Sequence, residues 1–244
     1  HELLRYFTVQ LERNGVTLRR DTRADADLLA AGGFDHIAIA TGIEPRRPDI
    51  PGIDHPKVAG YLDILSGRRQ AGDSVAIIGT GGIGYDVAEF LLADGPHDRE
   101  AFYREWGVDT ALAGVGGLGV PDPVHPRRRI TLFQRSSRRP GATLGTTTGW
   151  VLRGRLARRG VGAVTGCQYL GIDDAGLHYS VEGQTRVAAV ETIVLCAGQE
   201  ADRALADTLS ARGIPATAIG GARLATELDA MRAIDEGTRL AYGF

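Results

Sequence analysis

Three glycines at fixed spacing follow a short apolar run, and they are the residues of this chain best suited to bind a ligand. Gly79, Gly81 and Gly84 fit the pattern G-x-G-x-x-G and follow the apolar residues 75–78. The first glycine permits a tight turn, the second lets the backbone approach a pyrophosphate, and the third lets a helix pack close to the strand. The helix N-terminus then faces the phosphates. We expect dinucleotide contacts from Gly79, Gly81, Gly82, Ile83 and Gly84. Because the chain contains 34 glycines, a glycine-rich turn without a ligand stays open as the alternative.

The end of the next predicted strand, residues 130–133, bears on the choice between the two nicotinamide cofactors. An acidic residue at this position accepts from the ribose 2′-hydroxyl, whereas arginines hold a 2′-phosphate. Here Gln134 stands where an acid would, and Arg135 and Arg139 follow it. We therefore expect NADP(H) rather than NAD(H). A solvated basic loop is the alternative, since arginine is common throughout the chain.

No other side chains have the spacing of a catalytic pair or a metal site. Cys167 and Cys196 lie in apolar, strand-like surroundings and are interpreted as buried thiols. We therefore predict no catalytic residue and no metal ligand in this chain.

Charge and hydropathy exclude several classes of partner. The net charge of -2 gives no electrostatic case for nucleic acid or an acidic membrane surface. No apolar run approaches the roughly 18 residues that span a bilayer, and the N-terminus has no signal-peptide pattern. We expect a cytoplasmic protein without nucleic-acid or membrane partners. The sole methionine is Met231 and the chain begins at His1, so we expect a part of a longer polypeptide.

The elements that must position these residues alternate between strands and helices, which predicts an α/β fold. A Pro-rich connector at residues 45–56 and a long Gly/Pro-rich insert at residues 94–128 interrupt the alternation. Three short alternating stretches predict an antiparallel meander at 169–172, 177–181 and 185–190. The other predicted helices are 2–13, 24–31, 99–106, 149–159, 203–209 and 226–236, and the other strands 16–18, 34–40, 161–164, 192–196 and 216–219.

The chain as a whole resembles the C-terminal region of bacterial NADPH-dependent 2,4-dienoyl-CoA reductases. These enzymes belong to the old-yellow-enzyme group that includes trimethylamine dehydrogenase. The stretch Glu105-Trp106-Gly107-Val108-Asp109 is more telling than the glycines because it lies in the unusual insert. The other stretches that carry the resemblance are 53–58, 75–86, 145–150, 196–200 and 227–230.

The resemblance implies two Rossmann-like three-layer domains, with an NADP-binding domain inserted in a truncated FAD-binding domain. Residues 1–68 and 199–244 would be the FAD-binding parts, and residues 69–198 the NADP-binding domain. The resemblance also implies FMN, a 4Fe-4S cluster and a TIM barrel in a missing N-terminal part, and in the whole enzyme the reduction of unsaturated acyl-CoA in fatty acid β-oxidation. It extends the expected cofactor-binding residues to Thr41, Gly42, Gly198, Gly221, Ala222, Leu228 and Asp229.

The sequence departs from the family pattern at two places. Family members carry lysines in the loop after Arg135, where this chain has Ser136 and Arg139. No G-x-G-x-x-G precedes Gly79, so the turn that would bind the adenosine diphosphate of FAD is absent from this chain. Two cysteines also cannot supply a four-cysteine cluster.

The resemblance implies that the chain is the pyridine-nucleotide-binding portion of a flavin-dependent oxidoreductase that passes a hydride from NADPH to FAD. Two further hypotheses compete with this one. A catalytically incomplete module would bind the nucleotide without turnover. A short-chain dehydrogenase is disfavoured because the chain has no Tyr-x-x-x-Lys: Lys57 is the sole lysine, and Ile53 stands four residues before it.

Overall fold

A computed structural model describes residues 1–93, 98–226 and 229–243. The described helices are α1 (Glu2–Arg13), α2 (Ala26–Ala31), α3 (Tyr61–Leu65), α4 (Gly82–Leu92), α5 (Arg99–Trp106), α6 (Gly149–Arg158), α7 (Ala204–Ala211) and α8 (Ala230–Tyr242). The strands are β1 (Ile37–Ile39), β2 (Ile43–Pro45), β3 (Val58–Gly60), β4 (Ser74–Ile78), β5 (Arg129–Phe133), β6 (Gly162–Val164), β7 (Gln168–Asp173), β8 (Gly176–Val181), β9 (Gln184–Ala188), β10 (Thr192–Leu195), β11 (Gln199–Ala201) and β12 (Ala216–Ala218). The chain has the mixed α/β fold with parallel sheet that the sequence predicts.

The chain divides into two compact units. Unit 1 consists of residues 1–44 and 200–244, and unit 2 of residues 45–199. The sequence placed the first boundary between residues 68 and 69. The structure assigns residues 45–68 to unit 2 because β3 pairs in parallel with β10, within the main sheet of that unit.

Unit 2 is built on a five-stranded parallel sheet in the order β3-β10-β4-β5-β6. Successive residues of a strand point to opposite faces, so β4 supplies both cores of the unit. Val75 and Ile77 pack against α3, α4 and α6. Ala76 and Ile78 pack on the other face with residues of the meander β7-β8-β9, which confirms the predicted antiparallel meander. The unit therefore has three layers, with helices, sheet and meander.

Unit 1 contains a two-stranded parallel sheet in which β1 pairs with β12. Ile37 and Ile39 of β1 form a small core with side chains of α2 and α7. The predicted strand at residues 16–18 is wrong, since these residues form no regular structure. Among the described helices, none combines the length and apolarity that a segment spanning a bilayer requires.

Candidate nucleotide-binding site

The glycine motif lies where the order of strands reverses in the sheet of unit 2. The chain proceeds from β4 to β5 and β6 on one side, whereas β10 pairs with β4 on the other side. The carboxyl ends of β4 and β10 therefore border a crevice at a topological switch point, the place where open parallel sheets bind ligands. The backbone holds the two ends together, because Cys196 N donates to Ile78 O at 2.8 Å.

The three motif glycines serve different physical purposes. Gly79 has φ +123°, and a Cβ there would lie 2.1 Å from the Cys196 carbonyl oxygen, so this position brings β4 and β10 together. A Cβ on Gly84 would lie 2.1 Å from the Gly79 carbonyl oxygen, so that glycine lets α4 approach its strand. A Cβ on Gly81 would have no neighbour within 4 Å. The backbone at Gly81 is therefore open to a ligand.

A cleft of about 1160 Å³ opens at this turn, and we call it the nucleotide cleft. Gly81, Gly82 and Ile83 line it at the start of α4, whose N-cap makes no side-chain hydrogen bond. The first N–H groups of a helix have no partner within it and carry partial positive charge. The other lining residues are Arg46, Arg47, Pro48, Asp49, Ile50, Ile78, Gly79, Thr80, Gln134, Arg135, Ser136, Gln168, Tyr169, Leu170, Cys196, Ala197, Gly198 and Gln199. This N-terminus and these arginines fit an anionic dinucleotide.

Gln134 lines the cleft, but its side chain is occupied by the protein. Its Oε1 accepts from the Thr80 hydroxyl, and its Nε2 donates to the carbonyl oxygens of Ser136, at 2.8 Å, and Arg138. The side chain of Gln134 therefore stabilises the loop after β5. Arg135, an exposed neighbour, lines the cleft.

Arg139 occupies a different place from Arg135. It is absent from the described lining of the nucleotide cleft, and its charge acts on the Tyr85 hydroxyl of α4. Burial raises the pKa of Tyr85, and the positive charges of Arg153 and Arg139 oppose that rise. Of the two arginines that the sequence groups together, only Arg135 belongs to the described lining of the cleft.

The two thiols of the chain are free and buried. Burial raises the pKa of Cys196, at the crevice, to about 12, and burial also raises the pKa of Cys167. Protonated thiols are poor nucleophiles and poor metal ligands. Among the described residues, no group of three or more His, Cys, Asp or Glu side chains could hold a metal ion.

Unit 1 has a separate cavity of about 440 Å³, lined in part by Gly42, Gly220, Gly221 and Asp229. Gly42, Gly221 and Asp229 are among the cofactor-binding residues expected from the resemblance. Asp229 caps α8, since its carboxylate accepts from Arg232 N at 2.7 Å.

The remaining predicted residues of unit 1 have other surroundings. The Thr41 hydroxyl donates to Asp202 O at 2.6 Å, and Ala222 is fully buried in the core of unit 1. Leu228 lies outside the described residues. An unpredicted residue, Glu236, fixes the turn at Gly220 by accepting from its N–H at 2.7 Å. A hydrogen bond from Arg223, that N–H and the nearby positive charges lower the pKa of Glu236 to about 2.

Sequence reasoning missed Arg46, Thr80 and Tyr169 of the nucleotide cleft. Arg46 follows β2 in the stretch interpreted as a connector, and nothing in its spacing connects it to Gly79. Tyr169 is placed by the meander, where its hydroxyl donates to Phe133 O at 3.1 Å and burial raises its pKa. In the sequence, only the adjacent arginines at positions 46 and 47 could have signalled a basic contact here.

Comparisons with known proteins agree with this geometry. The family described as pyridine nucleotide-disulphide oxidoreductase matches residues 4–229. A metal reductase of Desulforamulus reducens is 27% identical over 216 residues, which cover 86% of this chain and 31% of the reductase. An NADH oxidase of Thermoanaerobacter brockii is 26% identical over 222 residues, covering 89% of this chain and 29% of the oxidase. The chain thus spans less than a third of the length of these curated relatives.

The structure of a 2-naphthoyl-CoA reductase in complex with 2-naphthoyl-CoA has the same fold. It aligns with 100% of this chain, and with 32% of the reductase chain, at a TM-score of 0.75 and 24% identity.

Proposed function

Because the chain belongs to the pyridine nucleotide-disulphide oxidoreductase family, we propose that it is the NADPH- and FAD-binding portion of a flavin-dependent oxidoreductase. In this reading unit 2 binds NADPH and unit 1 contributes to an FAD site. A bound reduced nicotinamide supplies a hydride and a bound flavin accepts it, so the protein's work is to bind and orient the two cofactors.

One observation carries the NADPH proposal. The G-x-G-x-x-G turn lies at the switch point of the sheet. The N-terminus of α4, which no side chain caps, lines the nucleotide cleft. In that arrangement Gly81, Gly82 and Ile83 would offer backbone N–H donors to a pyrophosphate. Gly79 and Gly84 would set the close approach of strand and helix on which the turn depends.

Arg135 is the residue that would favour NADPH over NADH. Its guanidinium can pair with a 2′-phosphate, and the amide at Gln134 replaces the acid that would repel that phosphate. Arg139 serves as the matched control, since it is an arginine of the same loop that does not line the described cleft.

The test is a titration of the purified chain with NADPH and with NADH. We expect Arg135→Ala to weaken NADPH binding about tenfold while NADH binding changes little, because only NADPH has the 2′-phosphate. Arg139→Ala should leave both affinities near their original values. Equal losses for the two nucleotides in Arg135→Ala would contradict the assigned role.

For the flavin, Gly42, Gly221 and Asp229 of the unit 1 cavity are the residues that we propose face the cofactor. Added FAD should then support NADPH-dependent reduction of a dye by the full chain. Tight NADPH binding without any dye reduction in the presence of FAD would favour the second candidate, a nucleotide-binding module without turnover. This candidate is favoured for the chain as given, since residues 1–78 contain no G-x-G-x-x-G.

We further propose that a longer protein containing this chain reduces an unsaturated acyl-CoA thioester, with FMN and a 4Fe-4S cluster held by its other parts, including an N-terminal barrel. This rests on the resemblance to 2,4-dienoyl-CoA reductases, above all in residues 105–109. A full-length protein that oxidises NADPH with oxygen or metal ions, but not with a 2,4-dienoyl-CoA, would refute the thioester proposal.

A further inference from the structure

The guanidinium of Arg46 has no hydrogen-bond or ion-pair partner among the described residues, although it lines the nucleotide cleft. Its Nε is out of contact with solvent. Nε, Cζ and Nη2 lie 3.8 to 3.9 Å from the position that a Cβ on Gly198 would take, so the group packs against the end of β10. A buried donor nitrogen without an acceptor costs free energy, which a bound acceptor would recover.

The neighbour of Arg46 and the two other described arginines with a buried, unpaired Nε are held by protein acceptors. Arg47, the next residue, pairs with the Asp54 carboxylate and donates to Ile53 O at 3.3 Å. Arg153 and Arg232 also have a buried, unpaired Nε, but their terminal nitrogens donate to backbone carbonyl oxygens at 3.1 and 2.6 Å. Asp49 lines the same cleft as Arg46 and forms no ion pair with it. Arg46 therefore packs against Gly198 without a protein acceptor for its side chain among the described residues.

The order of strands indicates which part of a dinucleotide Arg46 would meet. Arg135 lies after β5, the open turn at Gly81 lies after β4, and Arg46 packs against Gly198, after β10. A dinucleotide with its adenosine half at β5 crosses the switch point at β4 and extends its nicotinamide half towards β10. Guanidinium only donates, so it selects acceptors, and the most strongly charged acceptor of that half is a phosphate.

We propose that Arg46 binds the phosphate on the nicotinamide side of the bound dinucleotide. This inference rests on the proposed NADPH-binding function of the cleft and adds a second phosphate contact to that of α4. Arg46 would thereby hold the reactive half of the nucleotide, whereas Arg135 holds the adenosine half.

The test compares NADPH with adenosine 2′,5′-bisphosphate, which lacks the nicotinamide-side phosphate. We expect Arg46→Leu to weaken NADPH binding by the full chain at least about tenfold. Its affinity for the bisphosphate should stay within about twofold of the original. Arg46→Lys should lose part of the NADPH affinity, because it keeps the charge and loses the planar fork. Arg68, which pairs with Asp63 at 3.0 Å and is not among the described lining residues of the cleft, supplies the control. Arg68→Leu should bind both ligands as the unaltered chain does.

Each outcome of this comparison decides the inference. Unchanged NADPH affinity in Arg46→Leu would overturn it, and so would an equal loss for NADPH and the bisphosphate. If Arg46→Leu unfolds, Arg46→Lys with an unchanged melting temperature supplies the same comparison. Failure of the unaltered chain to bind NADPH would reject the proposed function and the Arg46 inference together. If the unaltered chain binds NADPH and Arg46→Leu binds it equally well, only the inference is rejected.

Discussion

The glycines of the motif at 79–84 fall into two classes, according to the atoms that a Cβ would contact at each position. At Gly79 and Gly84 a methyl group would overlap a backbone oxygen, at 2.1 Å in both cases. At Gly81 and Gly82 it would meet nothing within 4 Å. The first class serves packing and the second leaves space for a ligand, a distinction that the sequence pattern alone does not contain.

We predict opposite effects of alanine at these two classes. Gly84→Ala should lower the free energy of unfolding by about 1–3 kcal/mol, because the backbone must move to admit the methyl group. Gly81→Ala should change stability by less than about 1 kcal/mol and weaken NADPH binding, since the methyl group enters the cleft. Urea unfolding and nucleotide titration of both variants check this. Equal destabilisation by the two substitutions would contradict the geometric distinction.

Cys196 makes stability depend on alkaline pH. Its pKa in the folded chain is raised to about 12 by burial, whereas an exposed thiol ionises near pH 8.5. The folded state therefore favours the protonated form, and this contribution is complete below about pH 8.5 and decreases as the pH rises towards 12.

We accordingly predict that the unfolding free energy of the unaltered chain falls between pH 8 and pH 10 more than that of Cys196→Ala. Urea titrations at the two pH values measure the difference. A thiol reagent at pH 8 should modify Cys196 only after unfolding. Rapid modification of Cys196 in the folded chain would show that the thiol is not buried.

At the scale of elements, the apolar runs of unit 2 are predictable because burial on both faces of a parallel sheet requires them. Residues 75–78, 130–133 and 192–196 were predicted as strands and are found in β4, β5 and β10. β3 and its place beside β10 were not predicted, because three residues between the Pro-rich connector and a short helix give no periodic signal. The glycine turn of the site was predictable from local spacing, whereas Arg46 depends on tertiary contacts.

An ion pair joins α5, in the insert between α4 and β5, to the residue that follows α6. Arg159 donates to both carboxylate oxygens of Glu105, at 3.2 and 2.9 Å, and both side chains are about 15% exposed. Arg158 stacks on Trp106, with its Cζ 5.1 Å from the ring centroid. The stretch 105–109, which carries the family resemblance, thus contains the two residues that fix the insert, Glu105 and Trp106.

We predict that Glu105→Gln lowers the unfolding free energy by about 1–3 kcal/mol, because it removes the carboxylate that accepts from two nitrogens of Arg159 in a largely buried place. Glu105→Gln combined with Arg159→Met should cost less than the sum of the single changes. Glu100→Gln, on the exposed part of the same helix, is the control. Additive effects in urea unfolding would mean that the pair is not coupled.

At the scale of the whole molecule, the two units differ in how the chain builds them. Unit 2 is one continuous segment, residues 45–199, with a core on each face of its sheet. Unit 1 is assembled from two segments and has one small core.

We predict that residues 45–199 expressed alone fold cooperatively and bind NADPH with an affinity within about threefold of the full chain, because every lining residue of the nucleotide cleft belongs to this segment. Circular dichroism on heating and nucleotide titration check both parts. Loss of binding by a folded segment would show that unit 1 contributes to the nucleotide site.

The hydrogen bond from Arg46 N to Gly198 O, 3.0 Å long, has a consequence for the order of folding. β1 and β12 pair residues 37–39 with residues 216–218, a contact that an unfolded chain would reach only by closing a very long loop. Once unit 2 has folded, its two ends lie side by side, and the loop that remains to be closed is short. Since closure entropy grows with the logarithm of loop length, this lowers the entropic cost of joining β1 to β12 by about 2 kcal/mol. Unit 2 should therefore fold first, and its folding should bring the two segments of unit 1 close enough to pair.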